Sequence, residues 1–518
     1  MYQGLQDRLL VADSVRRVRR AIRWTRCLPE DPATLIVAVT ALQMAAWTLA
    51  PALTNSAPPI DVVESTMWGR EWVLATGKHP ALPSWALEVG RLLTGGAVGW
   101  PAYLTSQLFV AATFACVFLL GRDLMGAPRA AAGTLLLTGV STYAWLTPEF
   151  NHNIAQLPFW AGIALALWRA VERQSLAWWC LVGVFAAGGV YAKFSTGLLQ
   201  VTAAAWILYD DKARRSLATP GPWIGLGVFL VLVTPLMAWL VHHDLQPLQY
   251  AAERSHQERP GGVPMFVLST LGNIAGLLIM LPLIGLVGRG RNDIPSPASL
   301  TPSVDPRALH YLIFLAAGPL LLAIASALAS GSSLHPGWPS PMFNFLGLLM
   351  VGLASPRFQM QTLRRIAALA VGLLVLIPVG YALAVKLDAR RLGKPMRVNW
   401  PQAEIAQRFS TIWEHEIGRP MRIVSGDSWI AGLVGSTAKD NPSILDNGDL
   451  TLSPWITRDR ISKEGMLVVW ANSEKPMPRQ LAEFVAGLAV GEERFKYASS
   501  GQEFAIQYVV VPPKRAVD

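Results

Sequence analysis

Runs of roughly 20 residues with almost no charge set the limits on this chain, because each is long enough to cross a hydrocarbon core about 30 Å thick. They fall near 33–53, 101–120, 130–147, 154–168, 176–192, 194–209, 222–241, 264–287, 309–330, 336–354 and 366–386. The stretch 176–209 is too long for one crossing and carries Lys193 near its middle, so it reads as two helices that turn there. The length rule therefore predicts about eleven crossings. Composition agrees: 52% of the residues are hydrophobic and 15% charged, far from the soluble average. The expected fold class is an all-α polytopic membrane domain followed by a small α/β domain.

Lys and Arg set the expected orientation, since loops that stay in the cytoplasm keep them. The leader before the first span holds Arg8, Arg16, Arg17, Arg19, Arg20, Arg23 and Arg26. Loops with Arg122 and Arg129, Arg169 and Arg173, Lys212, Arg214 and Arg215, Arg289, Arg291 and Arg307, and Arg357, Arg364 and Arg365 fall on the same side. The alternate loops hold only Arg70, Lys78, Arg91, Lys193, Arg254 and Arg259. The N-terminus is thus expected in the cytoplasm, with 55–100, the tip at 193, 243–263 and 331–335 facing out. The leader's apolar segment is too long for a signal-peptide core. Val11, Val15, Val18 and Ile22 recur at helical spacing among its arginines, which suits an amphipathic helix on an anionic leaflet or a plain positive-inside anchor. The net charge of +10 is topological on this reading, and no nucleic-acid partner is expected. Cys27, Cys116 and Cys180 show no paired spacing, so neither a thiolate metal site nor a disulfide framework is supported.

Past residue 387 charges return, and the rest reads as an α/β domain outside the membrane. "WPQAEIAQRFSTIWEHEIG" and "PRQLAEFVAGLAV" have helical spacing, while "MRIVSG", "GMLVVWAN" and "EFAIQYVVVPP" read as strands. The expected organisation is a basic leader over 1–32, a membrane domain over 33–387 with outer loops 55–100 and 243–263, and an outer domain over 388–518. No phosphate loop or nucleotide fingerprint appears. A membrane enzyme of this kind must draw its activated donor from elsewhere, the lipid being one source.

The loop "DVVESTMWGREWVLATGKHPALPSW" (61–85) concentrates the chemistry. Asp61 and Glu64 share a helical face at i, i+3, and Trp68 and Trp72 continue it at i+4 steps. Trp85 and Trp100 suit the membrane interface. Lys78-His79-Pro80 breaks the helix and aims a cation at the headgroups. An acid to take a proton from an acceptor hydroxyl, beside a cation that offsets charge on a departing phosphate, is what sugar transfer from a phospholipid donor requires. The plainer reading of each part alone is a solvated acid, a snorkelling lysine and an anchoring indole.

The loop "HHDLQPLQYAAERSHQERP" is the second dense stretch. His242, His243 and Asp244 leave a span and Tyr250, Glu253, Arg254 and His256 follow. Two histidines with carboxylates fit a divalent metal ion, but adjacent histidines do not share a helical face and nothing fixes a third ligand, so no metal-site residue is assigned and no cofactor is certain. The plainer reading is a lid over the donor, with Arg254 or Arg259 available to a phosphate or an acidic sugar. His335 and Trp338 in "GSSLHPGWPSP" also face out, as does Glu149 beside His152 in "PEFNHN".

The set of "DVVES" after the first span, "KHPALPSW", "AKFST" and "HHDLQPLQYAAER" resembles the bacterial membrane glycosyltransferases of the GT-C fold. That group includes the protein O-mannosyltransferases, the lipid A aminoarabinose transferase and the galacturonosyltransferases of rhizobial lipopolysaccharide. The resemblance covers nearly the whole chain; its motifs are specific for the superfamily and poor for the substrate. It implies Asp61 as catalytic base. The family's companion acid is often the next residue, whereas Glu64 stands three away and is assigned support. Lys78 matches the family lysine that contacts the donor's phosphate, with His79 in place of a proline. Lys193 matches the lysine of a second turn, and an unpaired lysine at a helix break is costly enough to suggest function. The expected substrate contacts are His79, Trp68, His243, Asp244, Tyr250 and His335, with Lys78, Lys193 and Arg254 on the phosphate.

The resemblance implies an inverting transferase in the bacterial inner membrane that moves one sugar from a polyprenyl-phosphate donor to lipid A or lipopolysaccharide core. Galacturonic acid and aminoarabinose lead as the sugar, with a neutral hexose open, and membrane lipids are the other partners. A protein mannosyltransferase differs only in the acceptor groove. A transporter shares the spans but needs neither an outer domain nor acids at the lip.

Overall fold

The computed structural model describes residues 28–256, 262–283, 304–335, 337–354, 358–391, 395–472 and 474–514. The arginine-rich leader through Cys27, Arg259, Arg289, Arg291 and Arg357 lie outside the described residues.

Among the described residues, six helices are long and apolar enough to cross a membrane: Pro32–Thr54, Trp100–Met125, His152–Arg173, Pro220–His242, Pro306–Ser330 and Met360–Leu387. A bent pair, Gly262–Asn273 and Ala275–Leu283, makes a seventh if its 51° bend lies within one span. The expected count of about eleven is therefore not what helix length supports. The other apolar segments are short or broken. Residues 130–147 contain the end of a 10-residue helix, Ala127–Leu136, followed by 3-10 turns at Leu137–Gly139 and Ser141–Tyr143. Residues 336–354 hold a 3-10 turn, Ser340–Phe345, and an 8-residue helix. Hydropathy reports apolar surroundings, not helix continuity, and irregular backbone is tolerated at depth where protein covers it. Gly139 and Gly276 meet at one such break: a Cβ on Gly276 would lie 2.4 Å from the Gly139 carbonyl oxygen. Ser141 Oγ donates to Asn273 Oδ1 across the same crossing at 2.8 Å.

Local sequence explains where the spans start. Pro32 opens the first behind Asp31, whose carboxylate accepts the Thr34 N–H at 2.8 Å. Asn151 caps the turn that begins His152–Arg173, accepting the N–H groups of Asn153 and Ile154. That helix is the hub of the bundle: 94% of its apolar window is buried, against 22% for Pro220–His242. The long apolar stretch does turn at Lys193, between helices Leu176–Ala192 and Thr196–Tyr209.

The C-terminal part carries a five-stranded sheet. Its strands are β1 (Ile423–Gly426), β2 (Ser443–Asp446), β3 (Met466–Trp470), β4 (Gly491–Lys496) and β5 (Glu503–Val511), in the order β2-β1-β3-β5-β4. β2, β1 and β3 run parallel, with Val424 opposite both Ile444 and Leu467; β5 joins β3 antiparallel, Val468 opposite Val509. β2, β4 and the helix Ser428–Thr437 escape the sequence reading, and the expected helix after Pro478 shrinks to a turn and Ala482–Val485. One face of the sheet packs Ile405, Phe409, Trp429 and Leu433 together with Val63, Met67 and Trp68 of the outer helix Ile60–Arg70. The other packs Ile456, Ile461 and Leu481.

Candidate active site

Helix Ile60–Arg70 follows the first span and carries Asp61 in its first turn, where its backbone N–H groups favour an anion. Asp61 and Glu64 do share a face, but their carboxylates go separate ways. Asp61 Oδ2 accepts from Asn151 Nδ2 at 2.9 Å, while Glu64 Oε1 pairs with Lys78 Nζ at 2.9 Å. Lys78 rides on a closed turn. Ala75 bridges Pro80, the Thr76 N–H donates to the His79 carbonyl, and Thr76 Oγ1 accepts from the N–H groups of both Lys78 and His79.

Behind this turn lies a cavity of about 420 Å³ lined by Asp61, Lys78, His79, Asn151, His152, Asn153, Lys193, Ser195, Tyr250, Arg254, His335 and Trp338, among others. The structure thus brings together residues that the sequence spreads from the first outer loop to the 331–338 tip. The His79 and His152 rings lie 4.1 Å apart, with Tyr250 edge-on to His79 at 5.6 Å. His152 Nε2 is 3.1 Å from the Pro80 carbonyl, fastening the turn to the hub helix. Lys193 Nζ donates to Asn153 Oδ1 at 2.5 Å and sits 5.9 Å from the Trp338 ring. Helix Gln246–His256 supplies Tyr250 and Arg254, and its Ser255 carbonyl accepts from the Ser333 N–H at 2.6 Å.

The electrostatics are those of charges held out of water. Burial raises the Asp61 carboxyl above the usual range; Glu64 adds to this, while Asn151, Lys78 and Lys193 work against it. Burial pulls the Lys193 ammonium down to about 8, with the Asp61 charge holding it back. Glu149 is pushed up to about 7, by burial first and then by Asp61. Burial, followed by His152 and Lys193, keeps His79 well below the ordinary histidine range, so it is neutral. Burial alone would also lower Lys78, but Glu64 and Asp446 outweigh it and hold its pKa above the usual value. A carboxyl and an ammonium both poised toward neutrality in one cavity suit proton transfer and anion binding at physiological pH.

Four sequence-expected site residues lie outside this cavity's walls. Glu64 acts on Lys78 from behind. Trp68 is 3% exposed in the core shared with the sheet, its ring 5.6 Å from Lys78 Nζ, so it is packing rather than a substrate platform. Trp72 does not continue that face, because the helix ends at Arg70 and Trp72 takes φ 49°. His243 stacks on Trp239 at 4.0 Å and bonds its carbonyl through Nδ1. Asp244 and Leu245 take φ 52° and 55°, a left-handed turn that carries the chain from the span into the next helix and leaves Asp244 off the cavity. Among the described residues no three His, Cys, Asp or Glu side chains converge on a point that could hold a metal ion. Asn151 and Asn153 were missed. Their signal was a polar run, "NHN", opening an apolar segment.

The chain thus combines helices long and apolar enough to cross a membrane with one cavity lined by Asp61, Lys78, Lys193 and Arg254. Residues 78–239 match the family described as dolichyl-phosphate-mannose-protein mannosyltransferase. The lipopolysaccharide core galacturonosyltransferase RgtA of Rhizobium johnstonii is 20% identical over 482 residues, 88% of this chain and 93% of that one. Crystal structures of ArnT from Cupriavidus metallidurans share the fold. The one bound to undecaprenyl phosphate superposes with TM-score 0.61 at 14% identity, covering 91% of this chain and 97% of that one. The apo form gives 0.60 at 15%, covering 92% and 97%. The family match thus covers under a third of the chain, and the ArnT likeness extends the shared fold over nearly all of it.

Proposed function

We propose that this protein transfers a single sugar from a polyprenyl-phosphate donor to a lipid A or lipopolysaccharide core acceptor at the outer face of the bacterial inner membrane. The observation that carries this reading is one cavity lined by Asp61 together with Lys78, Lys193 and Arg254. The likenesses to RgtA and to ArnT bound to undecaprenyl phosphate support a polyprenyl-phosphate donor and a lipopolysaccharide-type acceptor. The basic leader 1–32 lies in the cytoplasm, the membrane domain spans 33–387, and the domain over 388–518 is periplasmic. This assignment follows the Lys and Arg distribution and the packing of the sheet on helix Ile60–Arg70.

In the proposed reaction Lys78, Lys193 and Arg254 hold the donor's phosphate. The Asp61 carboxylate takes the proton of an acceptor hydroxyl, whose oxygen bonds the anomeric carbon from the side opposite the phosphate. The carbon–oxygen bond to the phosphate breaks, its electron pair leaves on polyprenyl phosphate, and the anomeric centre inverts. Asn151 orients Asp61, and Asn153 holds Lys193. His79, Tyr250 and His335 face the sugar. Helix Gln246–His256 covers the cavity and keeps water out.

Galacturonic acid or aminoarabinose is the sugar on this reading. The match of residues 78–239 to a protein mannosyltransferase family favours a second reading, with a protein hydroxyl as acceptor and mannose as sugar. The deciding experiment offers purified protein a panel of polyprenyl-phosphate donors carrying galacturonic acid, aminoarabinose or mannose, with lipid A, core lipopolysaccharide or a Ser/Thr-rich peptide as acceptor. Transfer of either of the first two sugars to a glycolipid supports the main reading. Mannosylated peptide supports the second. Movement of lipid across the bilayer without transfer defeats both.

A further inference from the structure

The outer sheet domain grips the loop that carries the cavity's acid and lysine. A Cβ on Gly432 would lie 2.3 Å from Val63 Cγ1, and Arg70 donates to the carbonyls of Gly435 and Ser436 at 2.6 and 2.7 Å. The same domain reaches the lysine turn. A Cβ on Gly77 would come within 2.9 Å of Leu452, so the loop after β2 lies directly against the residue before Lys78. That loop is built firmly. Asp446, at the end of β2, is 3% exposed, accepts from Ser428 Oγ at 2.7 Å and Asn447 Nδ2 at 2.9 Å, and donates its N–H to Ser453 Oγ at 3.0 Å. Among the described residues both hydrogen bonds to the Asp446 side chain reach Oδ1, and its charge and that of Lys78 act on each other. Lys78 is therefore paired with Glu64 of its own loop and also feels the charge of Asp446, in a domain hundreds of residues away in sequence whose 446–453 loop packs against Gly77.

We propose that Asp446 and the 446–453 loop of the C-terminal domain are a positioning element for the donor-phosphate site: with Glu64 they hold the Lys78 ammonium at the cavity and limit how tightly it grips a lipid phosphate. This rests on the reading of Lys78 as a phosphate ligand. A carboxylate behind the lysine opposes any anion the lysine binds. It opposes the monoester product, polyprenyl phosphate, more than the diester donor, because the product carries more charge. The outer domain thereby favours release of the spent carrier.

The test uses full-length protein in lipid, with steady-state transfer and inhibition by added polyprenyl phosphate. Asp446→Asn keeps the acceptor for Ser428 and Asn447 and removes the charge. It is expected to lower donor KM about threefold to tenfold, as for one charge in a partly hydrated site, to strengthen product inhibition by more than that, and to do neither in a Lys78→Met background. Unchanged or raised donor KM, or equal shifts in both backgrounds, overturns the proposal. If Asp446→Asn does not fold, Leu452→Ala removes only the contact at Gly77. It is expected to raise donor KM with Lys78 present and leave it alone in Lys78→Met; equal shifts overturn. Lys78→Met with wild-type donor KM would remove the phosphate role itself, a failure distinct from loss of the Asp446 effect alone.

Discussion

Two charged clusters sit at opposite ends of the same helices. Helix Thr196–Tyr209 begins beside Lys193 and ends at Asp210; helix Pro306–Ser330 begins with Arg307 and runs toward Leu334 and His335 of the cavity. At the Asp210 end Asp210, Glu172, Arg307 and Lys212 pair with one another. Arg307 bonds Asp210 through Nε at 2.6 Å and Nη2 at 3.0 Å and also pairs with Glu172, which Lys212 approaches to 2.8 Å. The Arg307 guanidinium lies 4.6 Å from the Trp168 ring. Burial would raise Asp210, but Arg307 and the Ala213 N–H outweigh it, so its carboxyl falls below the usual range. At the Lys193 end three cations share walls with one carboxylate, Asp61, and Asp61 shifts up while Lys193 shifts down. The first cluster is satisfied without a ligand and behaves as a lock. The second gathers three cations around one cavity, a place suited to an anion, with Lys78 already paired to Glu64 behind the wall.

The sharpest break in the comparison is Asp61→Asn. It keeps the contact to Asn151 and removes the proton acceptor, so kcat is expected to fall about 10²–10⁴-fold with donor binding and thermal stability retained. Transfer at the wild-type rate would remove Asp61 from the chemistry.

Next in size is Lys193→Met, expected to lower kcat/KM roughly 10²-fold, the scale for one lost charge-stabilising donor. Its pH dependence is the more telling test. In the proposed reaction transfer needs Asp61 ionised and Lys193 protonated. Activity therefore declines as pH falls through the raised Asp61 pKa, and declines again as pH rises through about 8, where Lys193 loses its proton. Lys193→Arg cannot deprotonate in this range, so its alkaline limb is expected to move up or vanish while the acid limb stays. An alkaline limb unmoved in Lys193→Arg would assign it to another group.

What the sequence discloses follows this same division. Asp61, Lys78 and Lys193 were legible because charge beside apolar runs is expensive and calls for a reason. Asn151 and Asn153 were not, since uncharged amides carry no such cost, though they fix the acid and the lysine. Trp68 was misassigned because helical spacing tells which residues share a face but not what covers it; here the cover is the distant sheet. His243 and Asp244 were misplaced by a backbone reversal at Asp244–Leu245 that no residue type announces. Six of the expected apolar segments coincide with helices long enough to cross a membrane, whereas buried breaks such as Leu137–Gly139 hid from hydropathy.

Smaller effects are expected where charges are already matched. Arg307→Ala strips Asp210 and Glu172 of their shared partner. Since Arg307 is about a quarter exposed, at 24%, the cost should be about 1–2 kcal/mol, well under that of a fully buried pair. A lower thermal midpoint with unchanged KM per folded molecule is the expected result; a selective rise in donor KM would make that end of the bundle a binding site. Glu64→Gln should be smaller still and opposite in kind. Glu64 is partly exposed and pairs with Lys78. Neutralising it therefore removes a charge that competes for the lysine rather than unbalancing a buried core. Stability should hold within about 0.5 kcal/mol, and donor KM should fall a few-fold as Lys78 trades a carboxylate for a phosphate. Were Glu64 instead the proton acceptor, the same substitution would cut kcat about as deeply as Asp61→Asn, and measuring both variants side by side separates base from support.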